Sequence, residues 1–172
     1  FSAAVRQAVA AADAGYIATI GITPSEPAIG FGYIHCGDGI ELTGAPDARM
    51  VTSFVEKPDL ATAERYVAGG EHLWNAGMFI ARADRLLDRM RETEPALVAG
   101  LEELAAAWDD PAARGPAVDR IWPNLRKIAI DYSVAEPAAA AGHLVVIPGD
   151  FDWDDVGDFA SISKLQAGGR KS

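Results

Sequence analysis

A chain of 172 residues with 49% hydrophobic content can bury a sizeable core as a single domain. Its formal charge of −10 argues against nucleic acid or an anionic membrane as partner, since either would require a basic face. A single cysteine, Cys36, excludes an intrachain disulfide or a Cys-rich metal site and suits a reducing cytosol.

The elements follow an α/β alternation. An Ala-rich run over 3–13, with Val5 and Val9 one turn apart, predicts an amphipathic helix ended near Gly15, followed by an apolar strand over 16–22 that halts at Thr23-Pro24. A Pro-containing loop leads to a strand over 31–35, a turn at Asp38-Gly39, and strands over 40–42 and 51–56. A short helix over 61–68 closes at Gly69-Gly70, and a strand covers 78–81. Helices are expected over 83–92 and 96–108, then a loop over 109–116 where two prolines and a glycine cluster. A compact strand over 144–147 ends at Pro148-Gly149, and a last helix runs over 156–165. Trp108 and Trp122 read as core anchors and Cys36 as a packed side chain. No fixed-period repeat is visible.

Three segments carry polar groups where packing alone would want none. Glu56-Lys57-Pro58 places a carboxylate and an ammonium at a strand end, where open α/β sheets bind ligands. The carboxylate can accept from sugar hydroxyls and the ammonium can meet a phosphate. Strand neighbours face opposite sides, so joint contact requires the chain to break here, and Pro58 supplies a reason. A solvated ion pair is the plainer alternative. In Trp74-Asn75-Ala76-Gly77-Met78-Phe79, Asn75 has both donors and acceptors, and Gly77 permits close approach or a positive φ; a turn Asn is the plainer reading. The third segment, Trp153-Asp154-Asp155-Val156-Gly157, ends an acidic cluster of Asp150, Asp152, Asp154 and Asp155 between a strand and an expected helix, an arrangement suited to Mg²⁺ or to helix capping.

Together with Gly30-Phe31-Gly32-Tyr33-Ile34 and Ile130-Asp131-Tyr132-Ser133-Val134-Ala135-Glu136, these segments resemble the sugar-1-phosphate nucleotidyltransferases, most closely the mannose-1-phosphate guanylyltransferases. The resemblance implies an α/β, Rossmann-like nucleotidyltransferase domain with a mixed, mainly parallel sheet flanked by helices. It implies guanylyl transfer from GTP to mannose 1-phosphate, with Mg²⁺ as cofactor, in the cytoplasm, and leaves room for a homodimer. Carried over by position, Glu56 binds sugar hydroxyls, Lys57 contacts the sugar phosphate, and Asn75 and Gly77 line the sugar pocket. Gly32 offers backbone contacts, and Asp155 is the metal ligand. Asp131 matches the pattern without an assigned role. Ala28-Ile29 stands where the family often has Glu-Thr, and Ala76 where it has Ser. Transfer of a thymidylyl or uridylyl group, or a non-catalytic sugar-phosphate-binding regulatory role, stays open.

The family's Gly-rich phosphate loop and its first metal Asp have no match between Phe1 and Ser172. Residues 1–172 are therefore expected to form the C-terminal portion of a single catalytic domain. The expected outcome for this chain alone, given GTP and mannose 1-phosphate, is no steady-state release of pyrophosphate. Robust turnover in that assay would place the triphosphate cradle within these residues.

Overall fold

The computed structural model describes residues 1–155, and the helix expected over 156–165 lies outside them. Helix α1 (Ser2–Asp13) leads into strand β1 (Ile17–Ile22). Strands β2 (Gly32–Gly39) and β3 (Arg49–Glu56) form an antiparallel pair, followed by α2 (Leu60–Gly69) and β4 (His72–Ile80). Helices α3 (Ala83–Thr93), α4 (Pro95–Ala106) and α5 (Pro111–Ile121) come next. A π turn (Asp131–Ala135), the short helix α6 (Glu136–Ala140) and strand β5 (Leu144–Gly149) complete the described chain.

β1 lies between β4, antiparallel to it, and β5, parallel to it. β4 also pairs with β2, and β3 reaches β5 through Arg49 and Met50, so the pairings run round as a ring. The α/β class and the mixed sheet agree with the sequence. The expected parallel majority does not: among the described strands only β1 and β5 pair in parallel, and the other four pairings are antiparallel. The physical reason is connection length. A short loop joins β2 to β3 and imposes an antiparallel pair, whereas β1 and β5 are separated by enough chain for a helical crossover.

Every residue of β1 is buried, and the period-two alternation divides its side chains between two cores. Ala18, Ile20 and Ile22 join Tyr33, Val145 and Ile147 against the small face of α1, made by Ala4, Ala8 and Ala11. Ile17 joins Ile34, Leu144 and Val146 against Val134, Ala135, Ala138 and Ala139 of the π turn and α6. Half-buried Cys36 packs against this second group. Leu104, Ala117 and Ile121 form a third, separate cluster between α4 and α5.

Three other expectations are corrected. β2 continues through Asp38-Gly39, residues 40–42 are not strand, and the turn comes at 43–47. The cause is a bulged register in which Gly39 still pairs with Arg49 and the Arg49 guanidinium donates to the Gly37 carbonyl at 2.9 Å. Residues 109–116 are largely helix α5: Pro111 occupies its first turn, where the missing N–H costs nothing, and the Asp110 carboxylate accepts from the Ala112 N–H at 2.8 Å. Pro116 inside the helix is unfavourable, offset by burial of Ala117 and Ile121. Trp108 and Trp122 are 53% and 63% exposed, rim residues of the α4–α5 pair and not core anchors. Arg114 lies 5.7 Å over the Trp108 ring.

Ile20 is wholly buried at the centre of the strand on which both cores rest. Ile20→Ala should lower unfolding free energy by about 3 kcal/mol in urea denaturation. Trp122→Ala, at an exposed position, should cost less than about 1 kcal/mol.

Candidate functional site

A cavity of about 390 Å³ opens at the ends of β2 and β3, lined by Gly30, Phe31, Gly32, Glu56, Lys57, Asn75, Ala76, Gly77, Asp131, Trp153 and Asp155. All six residues singled out in the sequence as site residues, Gly32, Glu56, Lys57, Asn75, Gly77 and Asp155, thus meet at one place.

The strand breaks where the ion pair requires it to. β3 ends at Glu56, and Lys57 has φ 49°, the only positive φ among the described non-glycine residues. That twist turns both neighbours toward the cavity, with Nζ 3.7 Å from the Glu56 carboxylate. The Lys57 N–H donates to the Phe31 carbonyl at 3.2 Å, fixing the break against the Gly30–Gly32 loop. Such local strain is characteristic of binding sites. Across the ladder Gly32 pairs with Glu56, and a Cβ at Gly32 would lie 2.5 Å from the Glu56 carboxylate oxygen. Gly32 is therefore a space requirement: any side chain there would displace Glu56.

Asn75 is held inside β4 by a bulge. As β1 advances from Thr19 to Gly21, its partner in β4 changes from Phe79 to Asn75, so residues 76–78 bow out of the ladder. Gly77, at φ 70°, turns its N–H back to the Asn75 side-chain oxygen at 3.2 Å. A Cβ on Gly77 would meet nothing within 4 Å, so the need is conformational rather than steric. The same oxygen accepts from the buried Thr19 hydroxyl at 2.8 Å, and Asn75 Nδ2 donates to Asp131 at 3.2 Å. Asn75 is thus a strand residue with three bonds, not a turn Asn.

Asp131, which carried no role in the sequence, opens the π turn and reaches this network. Single π turns interrupt helices at functional sites more often than elsewhere. The Asp131 charge also acts on Glu56. Burial, followed by repulsion from Asp131, holds the Glu56 carboxyl above its ordinary range, and Lys57 only partly offsets the two. Sequence reasoning also missed Thr19, whose place in an otherwise apolar strand was the available signal, and gave Trp153, although part of the third motif, no role of its own. The Trp153 ring packs edge-on against Phe31 at 5.2 Å, and Phe31 against Trp74 at 5.0 Å, which ties the segment after β5 to the glycine loop. That tie brings Asp155 to the rim, whereas Asp150, Asp152 and Asp154 do not line the cavity.

Lys57 is the one cation among the described lining residues, facing Glu56, Asp131 and Asp155. Such a surface can bind hydroxyl-rich ligands through carboxylates and an amide. Among the described residues no group of three or more His, Cys, Asp or Glu side chains could hold a metal ion. No described helix is long and apolar enough to cross a membrane.

The chain belongs to the Nucleotidyl transferase family, which it matches over residues 1–171. It is 43% identical over 170 residues to the xanthan biosynthesis protein XanB of Xanthomonas campestris pv. campestris, covering 94% of this chain and 33% of that protein. It is 40% identical over 169 residues to the mannose-1-phosphate guanylyltransferase ManC of Salmonella typhimurium, covering 97% and 34%. The chain spans about a third of the length of these curated relatives. Among solved structures, one described as a mannose-1-phosphate geranyltransferase from Thermus thermophilus superposes with a TM-score of 0.76 at 29% identity, covering 95% of this chain and 44% of that one. A mannose-6-phosphate isomerase structure from Helicobacter pylori, at 21% identity and a TM-score of 0.69, shares the fold over 90% of this chain and 57% of that one.

A raised native pKa means that the folded state holds the Glu56 proton more tightly than the unfolded chain does. The group's contribution is then most favourable below its ordinary value of 4.5 and is lost as pH rises through the raised value. Glu56→Gln should be at least as stable as the parent at pH 7 in urea denaturation, and the two should converge below the ordinary value. A clearly less stable variant at pH 7 would show that the carboxylate stabilises the fold in place.

Proposed function

We propose that the cavity binds mannose 1-phosphate and that the enzyme built on this chain transfers a guanylyl group from GTP to it, releasing pyrophosphate. One observation carries the reading: residues from separate stretches of sequence line one cavity, with a single cation beside hydroxyl-binding carboxylates and an amide. In this reading Glu56, Asp131 and Asn75 take the sugar hydroxyls. Lys57 Nζ, whose side chain is 61% exposed, is free to leave Glu56 for the sugar phosphate. The relatives named mannose-1-phosphate guanylyltransferase support the choice of sugar and nucleotide.

The donor set fits magnesium in part. Three carboxylates face one ammonium, so an anionic ligand entering here needs further positive charge, and exposed Asp155 at the rim offers hard oxygens. Asp155 would hold the ion together with water and substrate oxygens, and the bound ion would supply charge stabilisation beside the phosphate. The protein's own part is positioning: Glu56, Asn75 and Asp131 orient the sugar, and Lys57 directs its phosphate toward the rim.

Calorimetric titration of this chain with mannose 1-phosphate tests the reading. The parent should bind, and Lys57→Ala should weaken binding by about tenfold or more, the loss of a charge-assisted contact. Added MgCl₂ should strengthen binding to the parent and to Asp154→Asn, but not to Asp155→Asn. Absence of binding to the parent, or equal binding by Lys57→Ala, would overturn the sugar-phosphate assignment.

A further inference from the structure

An asparagine amide can both donate and accept, but in Asn75 the carbonyl oxygen is already occupied twice. The Gly77 backbone N–H, which can only donate, faces one atom of the amide at 3.2 Å, so that atom must be oxygen. The Thr19 hydroxyl, on a residue with no exposed surface, donates to the same oxygen at 2.8 Å. One N–H of Nδ2 goes to Asp131 at 3.2 Å, and Asn75 lines the cavity. Of the amide's hydrogen-bonding capacity, what remains for a ligand is an N–H. Asp131, beside it, offers only acceptors while ionised.

We infer that Thr19 is a positioning residue that locks the Asn75 amide as a donor, so that the cavity selects a sugar carrying a hydroxyl able to accept from Asn75 while donating to Asp131. The inference rests on the proposed sugar-phosphate reading for its ligand, and on bonding geometry alone for the amide. The selectivity follows from desolvation. A sugar without a hydroxyl at that point leaves the remaining Nδ2 N–H without an acceptor and Asp131 with no donor but Asn75, and sites built around such a bond reject the lacking analogue strongly. Without Thr19 the amide retains only the Gly77 and Asp131 contacts and loses the one partner that is wholly buried. The Asn75 amide, held then by two 3.2 Å contacts alone, is less firmly oriented toward the ligand, and discrimination falls even though no residue lining the cavity has changed.

The test uses Thr19→Val, which keeps the branched shape and removes the donor, and Thr19→Ser, which keeps the donor. Titrations with mannose 1-phosphate, its epimer glucose 1-phosphate and inorganic phosphate give the binding readout. NMR hydrogen exchange of the Asn75 side-chain amide in the unliganded proteins gives a second readout, independent of any ligand. Thr19→Val should lose about tenfold in mannose 1-phosphate affinity, with the mannose-to-glucose ratio moving toward one and phosphate affinity unchanged. Its Asn75 amide should exchange faster than that of the parent, and Thr19→Ser should restore both readouts. An unchanged epimer ratio or unchanged amide exchange in Thr19→Val would overturn the inference, as would rapid exchange of the Asn75 amide in the parent itself, a result needing no variant to fold. If the parent binds no hexose 1-phosphate, the proposed function fails, while amide exchange still decides the role of Thr19.

Discussion

The hydroxyl of Thr19 must be satisfied inside a strand that has no access to water. β1 is buried along its whole length and hydrogen-bonded on both sides, so a polar side chain there has few possible partners. An orphaned hydroxyl in such a place costs on the order of 1–3 kcal/mol. Asn75 meets the requirement only because β4 bulges beside it, and the bulge closes only because Gly77 takes a positive φ. One buried donor therefore links the core of the sheet to the orientation of an amide in the cavity wall. Burial, bulge and glycine conformation form one mutually dependent arrangement.

The opposite wall follows a different rule, close approach. Gly32 lies across from Glu56 with no room for a Cβ, and the backbone twist at Lys57 brings an ammonium beside the same carboxylate. Glu56 is thus pressed between its own burial, the charge of Asp131 and a single partly exposed cation. The carboxylate is held where ionisation is unfavourable, and such an environment is more typical of ligand-binding groups than of structural ion pairs. Polar ligand atoms that replace water around Glu56 and Asp131 would relieve that cost.

Legibility in the sequence followed the locality of the cause. α1, β1, α2 and β5 were legible because composition and breakers within each segment determine them, and Glu56 and Lys57 because a charged pair before proline at a strand end is visible in the local sequence. Gly32, Asn75, Gly77 and Asp155 were legible through ordered motifs. Helix α5 was hidden because Pro111 and Pro116 look like loop residues unless the cap at Asp110 and the apolar contact of Ile121 are known. The turn after β2 was misplaced because its register depends on a bulge across the ladder. The exposure of Trp108 and Trp122 depends on the packing of α4 against α5, which no local pattern records. Thr19 and Asp131 each interact with Asn75 across 56 positions of sequence, so their roles emerge only once the chain has folded.

The same separation explains how the helical part of the chain bears on the cavity. The α4–α5 pair has its own apolar cluster and contributes no residue to the cavity lining. α3 is nonetheless tied to the π turn: the Thr93 hydroxyl lies 2.6 Å from the Ser133 carbonyl and 3.0 Å from that of Arg89, and the Ser133 hydroxyl bonds back to the Ala129 carbonyl at 3.1 Å. Arg126, in the segment between α5 and that turn, pairs with Glu94 at 2.6 Å, where α3 passes into α4. A π turn satisfies its backbone less regularly than an α-helix does, and side-chain hydroxyls at its carbonyls compensate. Asp131 begins that turn, so its carboxylate is placed by the Thr93 and Ser133 bonds as much as by Asn75. The helices thus reach the cavity through backbone geometry at one turn, and the sheet reaches it through Thr19. The amide of Asn75 and the carboxylate of Asp131 meet where these two supports converge.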